Sequence, residues 1–326
     1  MKWLALVLCA LVVGIALNAP PSSAAESYPA RPVRIITPFP AGSGPDAVVR
    51  MVAEKLNRVW GKAVIVENRP GANGFIALSA VKSAAPDGYT LGQASNAQLS
   101  THTLIYRNLP YDPAKDFIPV TPLFRNSFFV VVGTNSPYKN VGELLNAAKA
   151  KPGALAYGSE FVGSPGHLGA LLLGSAAGAQ MVHVPFKETT QLFSALSSNE
   201  VAWAFSSAAT ATSALQAGRV KLLAIGTRAR LPAYPDVPTV IENGGPAGFT
   251  LDAWTLLLAP QGTPADIVVQ INRAVAAALG EADIRQRLVT FGYEASPMQP
   301  PEITKTLAAE TSRYAAIIRA ANLSFD

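Results

Sequence analysis

Two stretches of the chain carry the same local chemistry. The first runs Thr37-Pro-Phe-Pro-Ala-Gly-Ser-Gly-Pro-Asp46, the second Gly158-Ser-Glu-Phe-Val-Gly-Ser-Pro-Gly-His167. Each follows a β-rich run and precedes a helical pattern. Pro45 and Pro165 suit a first helical turn, where the missing N–H costs nothing. Ser43 or Gly44 suits the cap of the first helix and Ser164 that of the second. A glycine-rich turn feeding a helix start exposes backbone N–H groups at the positive end of a helix dipole. That end favours an anion such as a carboxylate. One such loop is an ordinary strand-to-helix turn. Two with the same cap chemistry point to an anion cleft closed from opposite sides, with Ala41, Gly42, Ser43 and Ser159 on the anion and Phe39 on the wall.

Other chemistry finds less support. The first loop also fits G-x-G-x-x-A through Gly42, Gly44 and Ala47, and Glu67 stands about where a ribose-binding acid would. Pro45 lies inside that fingerprint, however, and Asp46 opposes a pyrophosphate. No Ser sits in G-x-S-x-G, and H-E-x-x-H and C-x-x-C are absent. His102, His167 and His183 lack close metal-ligand spacing. The expectation is no catalytic residue, no metal and no cofactor. His183, in an apolar run, reads as a core histidine. His167 opens a helix beside the proposed cleft, and Lys187 follows a β-run, so both join the candidates. Trp203, Phe205 and Trp254 read as core.

The elements that would hold these loops alternate in type. β-rich runs at 33–37, 63–67 and 89–94 enclose helical patterns at 45–60 and 74–85. The first helix places Val48, Val49, Val52, Leu56 and Val59 on one face. This order predicts a parallel sheet with right-handed crossovers. Ser95 and Asn96 follow the third run, at the carboxyl end where open α/β sheets bind ligands. The scheme restarts with β-runs at 128–132, 155–157, 182–184, 201–205 and 222–225, and helices at 141–150, 165–177 and 189–198. A last β-run at 255–259 precedes helical stretches at 264–279 and 302–320. The restart near 127 and the helical finish after 253 predict two α/β lobes crossed twice by the chain. Residues 26–126 with 253–326 form one lobe and 127–252 the other, with hinges near 125–128 and 250–254.

Composition agrees with a folded, exported chain. Of 326 residues, 49% are hydrophobic and only 14% charged, against about 25% in ordinary globular chains. That composition excludes disorder over most of the length. The net charge of +5 comes from scattered Lys and Arg, so no nucleic-acid partner is expected. Residues 1–25 have a positive start, an apolar run from Leu4 to Leu17 and a small-residue end at Ser23 and Ala25. This is the layout of a cleaved secretory signal, and the run falls short of the ~20 residues of a spanning helix. Cleavage near Ala25 would leave a mature chain without cysteine.

At this level the residues resemble a family. The segment from Tyr28 to Asp46 is similar to the opening of the Bug, or TctC-like, extracytoplasmic solute receptors. Further motifs follow in family order: Glu67-Asn-Arg-Pro-Gly71, Pro86-Asp-Gly-Tyr-Thr-Leu91, Tyr111-Asp-Pro-Ala-Lys-Asp-Phe117, Tyr157-Gly-Ser159, Gly163-Ser-Pro-Gly-His-Leu168, Val184-Pro-Phe-Lys187, Pro235-Asp-Val-Pro-Thr239 and Ala259-Pro-Gln-Gly-Thr-Pro264. They span essentially the whole mature chain.

The resemblance implies a two-lobed α/β periplasmic binding protein, type II-like. Each lobe would be a mainly parallel sheet flanked by helices, with a ligand cleft between lobes. It implies a monomeric periplasmic receptor that delivers a small carboxylate to the membrane subunits of a tripartite tricarboxylate transporter. A ligand-sensing partner of a signalling receptor and an exported nucleotide-cofactor oxidoreductase are the alternatives. In the family, the loop after the first strand and the loop at Tyr157-Gly-Ser159 grip the carboxylate, partly through water. Asp46 would then steady the helix start and orient a water. The chain departs from the pattern at Gly42-Ser43, where a double glycine is usual, and at Glu188. It also has Ser206 where many members carry an acid, which weakens the case for an ammonium-bearing ligand.

Overall fold

The computed structural model describes residues 28–320 except 161, 163 and 187. The leader, its cleavage point and Lys187 therefore lie outside the described residues. The chain opens with β1 (Val33–Thr37), α1 (Gly44–Trp60), β2 (Val64–Asn68), α2 (Phe75–Lys82) and β3 (Thr90–Ser95). β1 pairs in parallel with β2 and β3, as the β-α-β-α-β order predicts. Val33, Ile35, Val48, Val52, Leu56 and Leu91 close one core under α1. Val59 is a correction: it falls on the same helical face, yet it is 71% exposed because the last turn of α1 overruns that core. Ile36, Leu78 and Val81 form the opposite layer beneath α2. Each such side chain contributes ~1.5–3 kcal/mol on burial.

β4 (Phe117–Gly133) is the spine of the molecule. The sequence predicts strand only over 128–132, and the strand in the structure begins eleven residues earlier, through Pro119 and Pro122, which can donate nothing to a ladder. The structure absorbs both prolines in register shifts against β9 (Asp252–Pro260). The first part of β4 pairs antiparallel with β9, which pairs antiparallel with β3. From Phe128 on, its partners become β7 (Trp203–Ser207) and β8 (Val220–Ile225). β5 (Ala156–Ser159) is parallel to both β6 (Val182–Pro185) and β7. The sheet is thus parallel in β1–β3 and β5–β7 but antiparallel where β4 pairs β7, β8, β9 and β10 (Tyr293–Glu294) and where β3 pairs β9, a mixed arrangement that the alternation of runs did not predict.

Helices cover this second group: α3 (Val141–Ala150), α4 (Pro165–Ala177), α5 (Thr189–Ser197) and α6 (Ala208–Gln216). Val130 and Val132 face the core beneath α3 and α4, while Phe129 and Val131 face α5 and α6. α6 escapes the sequence reading because its buried residues are only Ala208, Ala211 and Ala214, too small for a clear apolar period. The chain returns through β9 and ends in α7 (Ala265–Leu279), α8 (Ala282–Thr290), the short β10 (Tyr293–Glu294) and α9 (Pro300–Ala320). β10 joins the edge of β4 at Arg125 and Asn126. No helix among the described residues is long and apolar enough to cross a membrane.

Candidate functional site

The two helix starts singled out in the sequence open on one cavity. Ser43 caps α1, its Oγ accepting from the Asp46 N–H at 3.4 Å. Ser164 caps α4, accepting from the His167 N–H at 3.2 Å. Pro45 from α1 and Ser164, Pro165 and Gly166 from α4 line a cavity of about 780 Å³. Its floor is the paired stretch of β4 and β9, where Asn126 stands opposite Ala253 and Phe124 opposite Thr255.

The expected residues divide into two groups. Phe39, Ser95, Asn96, Ser164 and Ser206 line the cavity. Ala41, Gly42, Ser43, Asp46, Ser159 and His167 lie outside its lining. Gly42 donates its N–H to Asp46 Oδ2 at 2.8 Å, and Ser43 N–H is held by Pro40 O at 3.2 Å. Asp46 is buried and also accepts from Arg50 Nε and Asn68 Nδ2. Burial alone would raise its pKa, but those hydrogen bonds outweigh it and leave the pKa lowered. Its carboxylate therefore braces the turn. Gly42 has φ +80, a conformation that suits glycine.

Ser159 ends β5, buried, with Oγ 2.7 Å from His183 Nε2. His183 stacks on His167 at 3.9 Å between ring centres, and Tyr157 stacks on His183 at 5.1 Å. Burial lowers the pKa of both histidines, to about 4 for His167, where the nearby His183 adds to the effect. At neutral pH this pair is an uncharged support behind the second loop. Glu67 pairs with Arg34 and Arg69, so its carboxylate is engaged where the ribose-binding acid of a dinucleotide site would stand free. Among the described residues no cluster of three or more His, Cys, Asp or Glu is placed to hold a metal.

Asn96 belongs to a buried network. Its Nδ2 donates to Glu310 Oε2 at 2.9 Å, and its Oδ1 accepts from the Trp254 N–H at 3.1 Å. Trp254 Nε1 donates to Glu310 Oε1 at 2.8 Å. α9 thus reaches across to hold two cavity-lining residues in place. Phe205 and Trp254, read from the sequence as core, are buried and also line the cavity.

The sequence missed Asn126, Thr255, Glu160 and Tyr293 as lining residues, and His102 was considered only as a metal ligand. Only Asn126 carried a local signal, a polar residue between Phe124 and Phe128. Burial lowers the His102 pKa to about 4, so it too is neutral at pH 7. Burial raises the pKa of Glu160. The described lining contains no Lys or Arg.

Two α/β lobes with a cavity at the crossing strands define the class of two-lobed solute-binding proteins. The chain belongs to the tripartite tricarboxylate transporter family of receptors, whose profile (TctC) matches residues 48–323. It is 30% identical to protein BugT of Bordetella pertussis, over 90% of each chain. Among solved structures it resembles Rpa4515 of Rhodopseudomonas palustris with adipate, at 31% identity and TM-score 0.74, covering 91% of this chain and 99% of that one. It also resembles MatC (Rpa3494) of the same organism with bound malate, at 31% identity and TM-score 0.70, covering 89% and 100%.

Proposed function

We propose that this chain is a periplasmic receptor that captures a small carboxylate-bearing metabolite between its lobes and presents it to the membrane subunits of a tripartite tricarboxylate-type transporter. It acts as a monomer and performs no chemistry on the ligand. The observation that carries this reading is the convergence of the α1 and α4 N-termini on one cavity. Two helix dipoles and neutral hydrogen-bond donors then stabilise the anion without a described cationic side chain. Family membership and the adipate and malate named with two similar structures support the ligand class. The apolar leader supports export.

Phe39, Ser95, Asn96, Ser164 and Ser206 are the proposed ligand contacts. Ala41, Gly42, Ser43, Asp46, Ser159 and His167 shape the two loops behind them, and Lys187 remains a proposed contact. The proposed lobes are 26–126 with 253–326, and 127–252. The change of β4 partners at Ser127 and Phe128 supports that division. Calorimetry and thermal melting with small mono- and dicarboxylates, each beside its neutral amide, test the function. A carboxylate at 100 times its Kd should stabilise the fold by about 2.7 kcal/mol, and its amide should bind at least 10-fold more weakly. Equal binding of acid and amide would refute the assignment.

A further inference from the structure

The floor of the cavity holds two polar atoms that the protein leaves unpaired. Asn126 Oδ1 and Thr255 Oγ1 are buried and have no hydrogen-bond partner among the described residues, and Thr255 is only 5% exposed. Such atoms are costly to leave unmatched. They are also neighbours. Asn126 pairs with Ala253 and Phe124 with Thr255, so Thr255 is diagonal to Asn126, about 7–8 Å away on adjacent strands. A single small group between them reaches both. An oxygen that only accepts would be repelled by the Asn126 carbonyl oxygen. A hydroxyl donates to that carbonyl and accepts from Thr255.

The walls around this floor are aromatic. Phe124 stacks on Tyr293 at 4.1 Å between ring centres. Phe205 is pinned edge-on by Trp203 at 5.2 Å. Phe128 and Trp254 complete the surround. Flat apolar surfaces contributed from both sides of the crossing strands favour a ring over a short polar chain.

We propose that Asn126 and Thr255 form a hydroxyl-binding subsite, and that the ligand is an aromatic carboxylate with a hydroxyl at the end away from the carboxylate. This rests on the carboxylate-receptor reading above and extends it to the far end of the ligand. Four probes separate the two ideas in calorimetry: para-hydroxyphenylpropanoate, phenylpropanoate, para-hydroxyphenylpropanol and adipate. The hydroxy acid should bind about 10- to 100-fold tighter than phenylpropanoate, the range expected for one or two neutral hydrogen bonds. In Asn126→Leu with Thr255→Val that preference should fall below about 3-fold. Equal binding of the two acids by the parent, a preference that survives in the double variant, tighter binding of adipate, or no binding of any probe overturns the subsite. If the propanol binds as well as the hydroxy acid, the carboxylate reading fails while the hydroxyl subsite stands.

Discussion

Glu310 is a single carboxylate on which two walls of the cavity depend. It is buried and accepts from Asn96 Nδ2 at 2.9 Å and Trp254 Nε1 at 2.8 Å. Glu310→Ala removes both acceptors and leaves two buried donors. Each costs ~1–3 kcal/mol, so the variant should lose roughly 4–6 kcal/mol, taking the upper half because the lost acceptor is a carboxylate. Glu310→Gln is the sharper test. Its amide oxygen still serves one donor, but its NH₂ then confronts the other. Asn96 has no freedom to turn its amide over, because its Oδ1 already holds the Trp254 N–H at 3.1 Å. The Gln variant should therefore lose about 1–3 kcal/mol. At ~2–3 °C per kcal/mol for a chain of this size, melting should drop by about 8–18 °C for Ala and roughly 2–9 °C for Gln. Scanning calorimetry or circular-dichroism melts read this directly. If both variants melt within ~1 °C of the parent, or Gln falls below Ala, the network does not hold the cavity as argued.

Acid should destabilise the fold through its histidines. Burial depresses the folded-state pKa of His102 to about 4 from the usual 6.5, so the unfolded chain binds more protons between those values. Stability is then full above about pH 6.5 and is lost as pH falls toward 4, by about 2 kcal/mol at pH 5 from His102. Melts from pH 7 to 5 should show that slope, and His102→Asn should flatten it; an unchanged slope counts against a buried neutral imidazole. Gly74 lines the cavity at φ +92, and a Cβ there would meet Gln98 Nε2 at 1.8 Å. Gly74→Ala should cost about 2–4 kcal/mol and push aside Gln98, whose Oε1 accepts from the Ser95 N–H at 2.8 Å, whereas a neutral result in denaturant melts would mean the loop relaxes freely. The proposed lobes should close about the paired segments near 125–128 and 250–254. Small-angle scattering should record a smaller radius of gyration with a confirmed ligand, and an unchanged radius argues against hinge closure.

By itself the sequence determined the parts of this protein whose causes are local. Pro45 and Pro165 after small residues mark helix starts, because a proline fits only the first turn. The β1 and α1 periods show which faces are apolar, and the ordered motifs identify the family. Tertiary structure alone decided what those parts face. Residues of the two loops grouped in one candidate site separated: Gly42 and Asp46 engage each other's polar groups, while Ser164 reaches the cavity. Whether a backbone N–H is free depends on a partner four residues away in one loop and on distant chain in another. Asn126 and Thr255 lie 129 positions apart and meet only because β4 and β9 pair where the chain crosses. Glu310 reaches Asn96 across 214 positions. Neither pairing has a period or a composition, because contacts between distant segments are fixed by the packing of whole elements and not by the residues beside them.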